Sequence, residues 1–409
     1  MDEPGAAVGR RYAGWIVGVV AAGTWVAAAL LLWRTSVPSL DLDGVDARRF
    51  FSARELARAA DYERGVRLIW LLSTIATVVT LLVLVRVLPR SVRGIGLGRI
   101  GTAVIVGMVV LTTTWAVSLP FGIAQLWWHH HWGLGPFNVG QWLIAQRFAL
   151  SASAVFALLT IVVLVALASR FPRNWWIPGA AVFVVLVAVL VFLLGWLAAL
   201  DTRAVDDPRL RADIERISHA EGVDPPVHVQ EVSDWTDQAN AFAAGYGPST
   251  NVVLWDTLLD GRFPRGEVNV VLAHEFAHVK EQHVLRGIAW FALFAFPALF
   301  LVARVTDRRG GLRDPANLPL AVLVITLVSL VATPFQNAVS RRYEAEADWR
   351  ALQVTRDSRS MQGLFEGFQE TSLQEPNPPV WAYVMFDTHP TLMQRIAMAE
   401  AYEERRQAP

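Results

Sequence analysis

Long apolar runs recur along this chain, and they constrain its fold more than any other feature of the sequence. Seven runs are long enough to cross a bilayer as a helix, which takes about 20 residues. These runs are Ala13–Trp33, Leu68–Leu88, Gly101–Leu119, Ala149–Ala168, Trp176–Leu200, Ile288–Val305 and Leu318–Phe335. A single run is compatible with a buried core helix, but seven favour a polytopic membrane protein. The composition agrees, since charged residues make up 18% of the chain, where a soluble domain has about a quarter.

The first run and the polar segments set the predicted organisation. Arg10 and Arg11 precede an apolar run too long for a typical signal peptide, so we expect a retained first span. The largest polar segment is expected to contain an amphipathic helix over Pro208–Glu221 and short strands at His228–Val232 and Asn251–Trp255. The predicted regions are 1–200 with five spans, 201–287, 288–338 with two spans, and a polar helical tail over 339–409.

A metal-binding motif lies in the largest polar segment. The sequence His274-Glu275-Phe276-Ala277-His278 reads HExxH within an apolar-periodic run that predicts a helix. Residues four apart share one helix face, so both imidazoles can reach a single metal ion. Zinc suits two imidazoles, a carboxylate and a water, and Glu275 is placed to take a proton from that water. The alternative, an exposed polar helix face, is less favoured in this context.

A catalytic zinc site needs a third protein ligand, and the tail offers two candidates. Glu344 and Asp348 are four residues apart and would share a helix face. Either carboxylate could bind zinc while the other holds the free ring nitrogen of a ligating histidine. Glu346 points elsewhere on the same helix and is expected to be solvated. Two spans separate the HExxH segment from this helix, so both segments are predicted to emerge on one side of the membrane.

Several motifs together resemble a known family. They are HEFAH at 274–278, YEAEAD at 343–348, DTHP at 387–390 with Arg395, and the segment 239–259 that begins Ala-Asn-Ala-Phe. This combination resembles the integral-membrane zinc metalloproteases of the type-I CAAX prenyl protease family, most closely over 205–285 and 339–398. The related HtpX-like proteases share the HExxH and ExxxD helices but normally have fewer spans. The resemblance implies a mostly α, polytopic fold with about seven transmembrane helices and a zincin-like domain carrying a small β-sheet.

The resemblance also implies roles for individual residues. One zinc per chain would be bound by His274, His278 and Glu344, with Glu275 as the general base. Asp348 would support a ligating histidine, and Arg395 would hold the Glu344 carboxylate or the substrate. Asn240 and His389 would contact the substrate near the scissile bond.

Three functions are compatible with these patterns. The favoured one is a membrane-embedded zinc endopeptidase of extended peptides or proteins, in which Glu275 deprotonates a zinc-activated water. The alternatives are an HtpX-like quality-control protease for membrane proteins and, in another class, a non-catalytic scaffold or transporter. A transporter would have ionisable groups within its spans, and these spans have almost none. The expected location is the cell membrane, in contact with the lipid bilayer, with both catalytic segments on the cytoplasmic side.

Other features of the sequence narrow the chemistry. The chain has no cysteine, which excludes disulfides and thiolate ligands, and its formal net charge of zero suggests no nucleic-acid partner. The residues from 120 to 141 are predicted to form a loop. Three adjacent histidines in it, His129–His131, would not face one centre, so an interfacial polar loop is favoured over a second metal site. The sequence does not determine the oligomeric state.

Overall fold

The computed structural model describes residues 4–40, 42, 45–92 and 96–407, with only the backbone described for 4–17. The N-terminal half is helical. Its helices are α1 (Pro4–Leu32), α2 (Ala53–Val92), α3 (Gly98–His131), α4 (Val139–Arg170) and α5 (Trp176–Ala198). In the C-terminal half the helices are α6 (Pro208–Glu221), α7 (Arg265–Lys280), α8 (His283–Asp307), α9 (Leu318–Thr355), α10 (Ser358–Ser372), α11 (Val380–Phe386) and α12 (Leu392–Gln407).

Six of these helices are long and apolar enough to cross a membrane: α2, α3, α4, α5, α8 and α9, the last with its preceding turn. The first predicted span corresponds to α1, whose described apolar stretch, Gly18–Leu32, is shorter. Residues 13–17 of that prediction lie outside the described side chains. Large apolar side chains on these helices are exposed, among them Val155 and Val185. Such surfaces are stable only in lipid, so the chain is a multi-pass membrane protein, and the predicted fold class is confirmed.

A small mixed sheet lies beside the metal-motif helix. Its strands are β1 (Arg203–Ala204), β2 (Val227–Gln230), β3 (Ala241–Ala244) and β4 (Asn251–Trp255), in the order β1-β2-β4-β3. The β2–β4 pair is parallel and the other two pairs are antiparallel. Strand β3 is therefore an edge strand. The strands at 228–232 and 251–255 and the helix at 208–221 were predicted at nearly these positions.

One hydrophobic core holds the catalytic segments together. It joins the sheet and α6 to α7, the end of α9, α10 and α12, with Phe276, Leu254 and Ile396 fully buried. Because α7 is enclosed by this core, even its polar face is largely buried. The two polar segments that flank the last two spans thus form one unit.

The predicted loop over 120–141 is partly wrong, because α3 continues through His131. The run Trp127–Trp132 is polar and aromatic rather than apolar. A prediction from hydropathy therefore ends the helix before its real end at His131. In the structure, Trp128 donates to the carbonyl of Tyr62 on α2 at 2.9 Å, and the ring of Trp128 stacks on that of His131. His129 faces Tyr62, while His130 faces the carbonyl of Gly135. The three histidines therefore point to different partners.

Candidate metal centre

Helix α7 places its two histidines side by side. His274 is buried, and its Nε2 lies 3.0 Å from the Nε2 of His278. Both ring nitrogens face the same point because the residues are one helical turn apart. Glu275 lies between them in sequence and is also buried, at 7% exposure.

Helix α9 brings a carboxylate to the same point. Oε2 of Glu344 lies 3.2 Å from Nε2 of His274 and 3.6 Å from Nε2 of His278. This buried oxygen accepts no well-directed hydrogen bond from any described residue, although three imidazoles surround it. A tetrahedral zinc site with bonds of about 2.0–2.1 Å separates its ligand atoms by roughly 3.3 Å. The distances and the unsatisfied oxygen therefore fit a shared cation, and His274, His278 and Glu344 form the cluster able to hold it.

The carboxylate of Asp348 supports His274 from behind. Its Oδ1 lies 2.9 Å from Nδ1 of His274, and Arg395 on α12 donates to both of its oxygens. Arg395 therefore pairs with Asp348 rather than with the Glu344 carboxylate, the first of its two expected partners, and its expected contact with the substrate stays a prediction. Burial alone would lower the pKa of His274, but the neighbouring carboxylates of Asp348 and Glu344 raise it to about 10.

Of the other two predicted site residues, His389 lies at the cluster and Asn240 does not. His389 follows α11, and its half-exposed ring lies with Nε2 at 3.1 Å from Oε2 of Glu344. Asn240 is exposed at the start of β3, where its side-chain oxygen accepts from the amide of Ala241. No described hydrogen bond or ion pair joins Asn240 to the histidines of the cluster. His389 is thus brought to the cluster, while Asn240 lies on the edge strand.

Two residues near the cluster were not predicted as site residues. Glu346, expected to be solvated, is 2% exposed and bonds to His283 and Arg286. His283 is also buried, and its Nδ1 lies 2.9 Å from Nδ1 of His278. The α7–α8 reversal makes this contact possible, because Gln282 adopts a left-handed conformation with φ 54°. The five-residue spacing from His278 was the only signal in the sequence, and it has no regular helical meaning.

A cleft of about 550 Å³ opens beside His278. Its walls come from the loop before β2, from β3 and the turn after it, and from the α7–α8 turn; Ala243, Tyr246 and Val279 are among its lining residues. The cleft is lined by Ala243 of the edge strand and by His278 of the metal cluster. An extended chain lying on β3 would therefore have a pocket next to His278.

Comparison with known proteins identifies a related family. A sequence profile described as Peptidase family M48 matches residues 204–403. We call this matching segment, residues 204–403, the M48 domain. The match includes α7 and the end of α9, so the M48 domain holds all three residues of the cluster and is interrupted by two membrane helices.

The relatives that match this chain include one named as a metalloprotease and others named as HtpX protease homologs. "Uncharacterized metalloprotease YhfN" of Bacillus subtilis (strain 168) is 29% identical over 265 residues, which cover 61% of this chain and 62% of the relative. "Protease HtpX homolog" of Acidiphilium cryptum (strain JF-5) is 27% identical over 259 residues, covering 55% of this chain and 88% of the relative. The chain thus matches less than two thirds of YhfN.

A solved structure shares the whole architecture. S. mikatae Ste24p superposes with a TM-score of 0.69, covering 94% of this chain and 98% of that chain at 17% sequence identity. At this identity the likeness is one of fold. It confirms the predicted fold, and the M48 match over 204–403 agrees with the predicted family resemblance.

Proposed function

We propose that this protein is a zinc-dependent endopeptidase of extended peptide or protein segments, working at the membrane surface. The observation that carries the proposal is the convergence of His274, His278 and Glu344, whose ligand atoms lie within 4.8 Å of one another. The donor set of two imidazoles and one carboxylate favours zinc over calcium or magnesium, which prefer oxygen ligands. One such cluster lies in the described part of the chain, so we propose one zinc per chain.

Each residue near the cluster has a proposed task. When bound, zinc polarises a carbonyl group and lowers the pKa of water from 15.7 to about 7. Glu275 accepts a proton from the attacking water and delivers it to the departing amine. His389 donates a hydrogen bond to the carbonyl oxygen as negative charge develops there. Asp348 and Arg395 act behind His274, fixing its ring and leaving its Nε2 free to bind.

Substrate alignment is proposed to use the edge of the sheet. β3 pairs with β4 on one side, and no described strand pairs with its other side. An extended peptide can add to such an edge through backbone hydrogen bonds, with its side chains received by pockets. The cleft beside His278 is in position to receive one of them. Asn240, at the start of β3, is then placed to contact the substrate backbone.

The test compares Glu275→Gln with Glu281→Gln, measuring zinc content and peptide cleavage in purified full-length protein. Glu281, on the turn after α7, pairs with Arg350 and serves as the matched control. Glu275→Gln should keep zinc and lose activity by about a hundredfold or more, since general bases contribute about 10²–10⁴-fold. Glu281→Gln should keep both. Activity near wild type in Glu275→Gln would exclude this mechanism, and a wild-type protein without zinc or proteolysis would favour a scaffold.

A second candidate of the same chemistry is the HtpX-like quality control of membrane proteins, and several relatives of the chain carry the name HtpX homolog. It predicts cleavage of unfolded membrane segments of varied sequence rather than of one defined substrate. Incubation with a panel of unfolded membrane proteins and mapping of the cleavage sites separates the two. Sites confined to one sequence motif would exclude the quality-control function.

We further propose that the protein resides in the cell membrane with the M48 domain on the cytoplasmic side. Because the chain has no cysteine, single cysteines can report topology. His219→Cys lies on α6, and Arg313→Cys lies in the α8–α9 turn, one span away; both positions are exposed. In intact cells an impermeant maleimide should label Arg313→Cys, and His219→Cys only after permeabilisation. The reverse pattern would place the M48 domain outside.

A further inference from the structure

A second buried polar group lies behind His278, on the side away from Glu344. It consists of His283, Glu346 and Arg286. The side chains of His283 and Glu346 are 4% and 2% exposed. The catalytic tasks proposed above use none of these three residues, so burial of this ionic group calls for another explanation.

The distances allow one consistent direction for the hydrogen bonds. Nε2 of His278 faces the metal cluster and must be unprotonated to bind, so its proton is on Nδ1. That proton is donated to Nδ1 of His283, 2.9 Å away. His283 then carries its own proton on Nε2 and donates it to Oε2 of Glu346, 3.1 Å away. Every donor along this path has one acceptor.

Glu346 is in turn held by the segment that follows the first span. The backbone amide of Ser36 donates to Oε1 of Glu346, and Arg286 donates to Oε2 at 2.8 Å. Arg286 also donates to the carbonyls of Leu32 and Arg34. The end of α1 is therefore linked, through Glu346 and His283, to an imidazole of the metal cluster.

Neighbouring contacts keep this segment in one position. Tyr343 donates its hydroxyl hydrogen to the carbonyl of Leu32 at 2.9 Å and stacks on the ring of His283 with centroids 4.7 Å apart. Arg342 donates to the carbonyl of Trp33 at 2.9 Å. These bonds fix the backbone over Leu32–Ser36 against α9. The amide of Ser36 is therefore held in the orientation that donates to Glu346.

We propose that His283 and Glu346 are positioning residues for His278, and that the segment Leu32–Ser36 completes this support. The inference rests on the proposed metal role of His278. It assigns the segment after α1 a function in the metal centre, although that segment supplies no ligand of the cluster. His274 thus receives support from Asp348 and α12, and His278 from His283, Glu346 and the segment after α1.

The central test replaces His283 by phenylalanine in the full-length protein and measures zinc affinity by chelator competition. Phenylalanine keeps a ring against Tyr343 and removes both nitrogens. Loss of an outer hydrogen-bond partner of a metal ligand costs about 10–100-fold in affinity, and we expect a loss in that range. The control is His219→Phe, the same substitution on the exposed face of α6, which should bind zinc as wild type does.

Two further variants test the links beyond His283. Ser36→Pro removes the amide hydrogen given to Glu346, whereas Ser36→Ala keeps it. Glu346→Gln cannot accept at both positions, because one oxygen becomes an NH₂ group. We expect Ser36→Pro and Glu346→Gln to weaken zinc binding at least threefold, and Ser36→Ala, which removes only the hydroxyl, to have a smaller effect than Ser36→Pro. If His283→Phe does not fold, these variants decide the question.

Cobalt substitution gives a readout that a general loss of stability would not change. The visible absorption of bound Co²⁺ reports ligand geometry, so it should change in His283→Phe and remain as in wild type in His219→Phe. Wild-type zinc affinity and cobalt spectra in His283→Phe, or wild-type zinc affinity in both Ser36→Pro and Glu346→Gln, would overturn the proposal. His278→Ala distinguishes a failure of the proposed metal centre from a failure of the proposed support by His283. If it binds zinc as wild type does, the proposed metal centre fails; if it alone loses zinc, only the support by His283 fails.

Discussion

The guanidinium of Arg395 donates hydrogen bonds of 2.6 and 2.7 Å to the two oxygens of Asp348, and Asp348 contacts Nδ1 of His274 at 2.9 Å. Both members of the ion pair are nearly inaccessible to water. Arg395 is on the last helix and His274 on the metal-motif helix, so the tail of the chain controls the orientation of a proposed metal ligand.

Arg395→Ala should destabilise the protein by about 3–5 kcal/mol, because it leaves the Asp348 charge buried without its partner. Zinc affinity should fall as well, since His274 loses a fixed neighbour. Thermal unfolding and chelator competition in detergent measure the two effects. The control is Arg406→Ala on the same helix, which removes an exposed pair with Glu403 and should change stability by less than about 1 kcal/mol. Equal effects of both variants would rule out a special role for Arg395.

His389→Ala should retain zinc and lose turnover by about a hundredfold to a thousandfold, the usual effect of removing one donor to a developing oxyanion. The ring is 3.1 Å from Glu344 and half exposed, so it faces the space that a substrate would enter. Steady-state cleavage and metal analysis provide the measurements. His389→Gln restores an N–H donor and should recover part of the activity. Loss of zinc in His389→Ala would instead assign this residue to the metal.

Zinc binding should release protons and strengthen as pH rises. The pKa of His274 in the metal-free protein is raised to about 10, because Asp348 and Glu344 outweigh the opposing effect of burial. The proton must leave before Nε2 can bind, so affinity should increase up to about tenfold per pH unit between pH 7 and pH 10. Calorimetry in buffers of different ionisation enthalpy counts the released protons. Asp348→Asn removes one stabilising charge and should reduce that number.

The raised pKa of His274 also makes the stability of the metal-free protein depend on pH. The folded-state pKa of His274 is above the unfolded value of 6.5, so the charged imidazole stabilises the fold fully below pH 6.5. This contribution should be lost as the pH rises through about 10. Thermal melts of metal-free protein across this range should show the decline, and His274→Gln should reduce it. A wild-type decline identical to that of His274→Gln would contradict the assignment.

Gly195→Ala should lower the free energy of unfolding by about 1–3 kcal/mol, the usual effect of overpacking, because Gly195 on α5 contacts the turn after β3. A Cβ on Gly195 would lie 2.3 Å from the carbonyl oxygen of Ser249 and 2.6 Å from Cα of Gly245. Both obstacles are backbone, so neither can move aside cheaply. Gly287→Ala on α8 is the control, because nothing lies within 4 Å of its added Cβ. The thermal midpoint in detergent should fall for the first variant only.

Much of the fold could be predicted because its signals are local. Apolar length identified the spans, and alternating or continuous apolar patterns located Pro208–Glu221 and the strand at Asn251–Trp255 within a residue or two. The exception was the end of α3, where Trp127–His131 interrupts the apolar pattern without ending the helix. Helix propensity and packing against Tyr62 continue the helix beyond the point where hydropathy falls.

The cluster of His274, His278 and Glu344 could be predicted for a related reason. A four-residue helical spacing brings each motif onto one face, and an even number of spans returns the chain to the same side of the membrane. The geometry of single helices and the thickness of a bilayer are sufficient for both predictions. They determine which segments meet, and they leave open which carboxylate of α9 binds and which supports.

The partners of individual charges were decided by the tertiary structure alone. Nothing in the local sequence distinguishes Glu346, buried against His283, from an ordinary solvated helix carboxylate, or directs Arg395 to Asp348 rather than to Glu344. Those choices depend on how α1, α8, α9 and α12 pack, because a buried charge must be paired with whichever opposite charge that packing brings within hydrogen-bond distance. The sequence by itself determined the spans, the metal motif and the side of the membrane they share; the packing of distant helices decided which residues hold the motif in place.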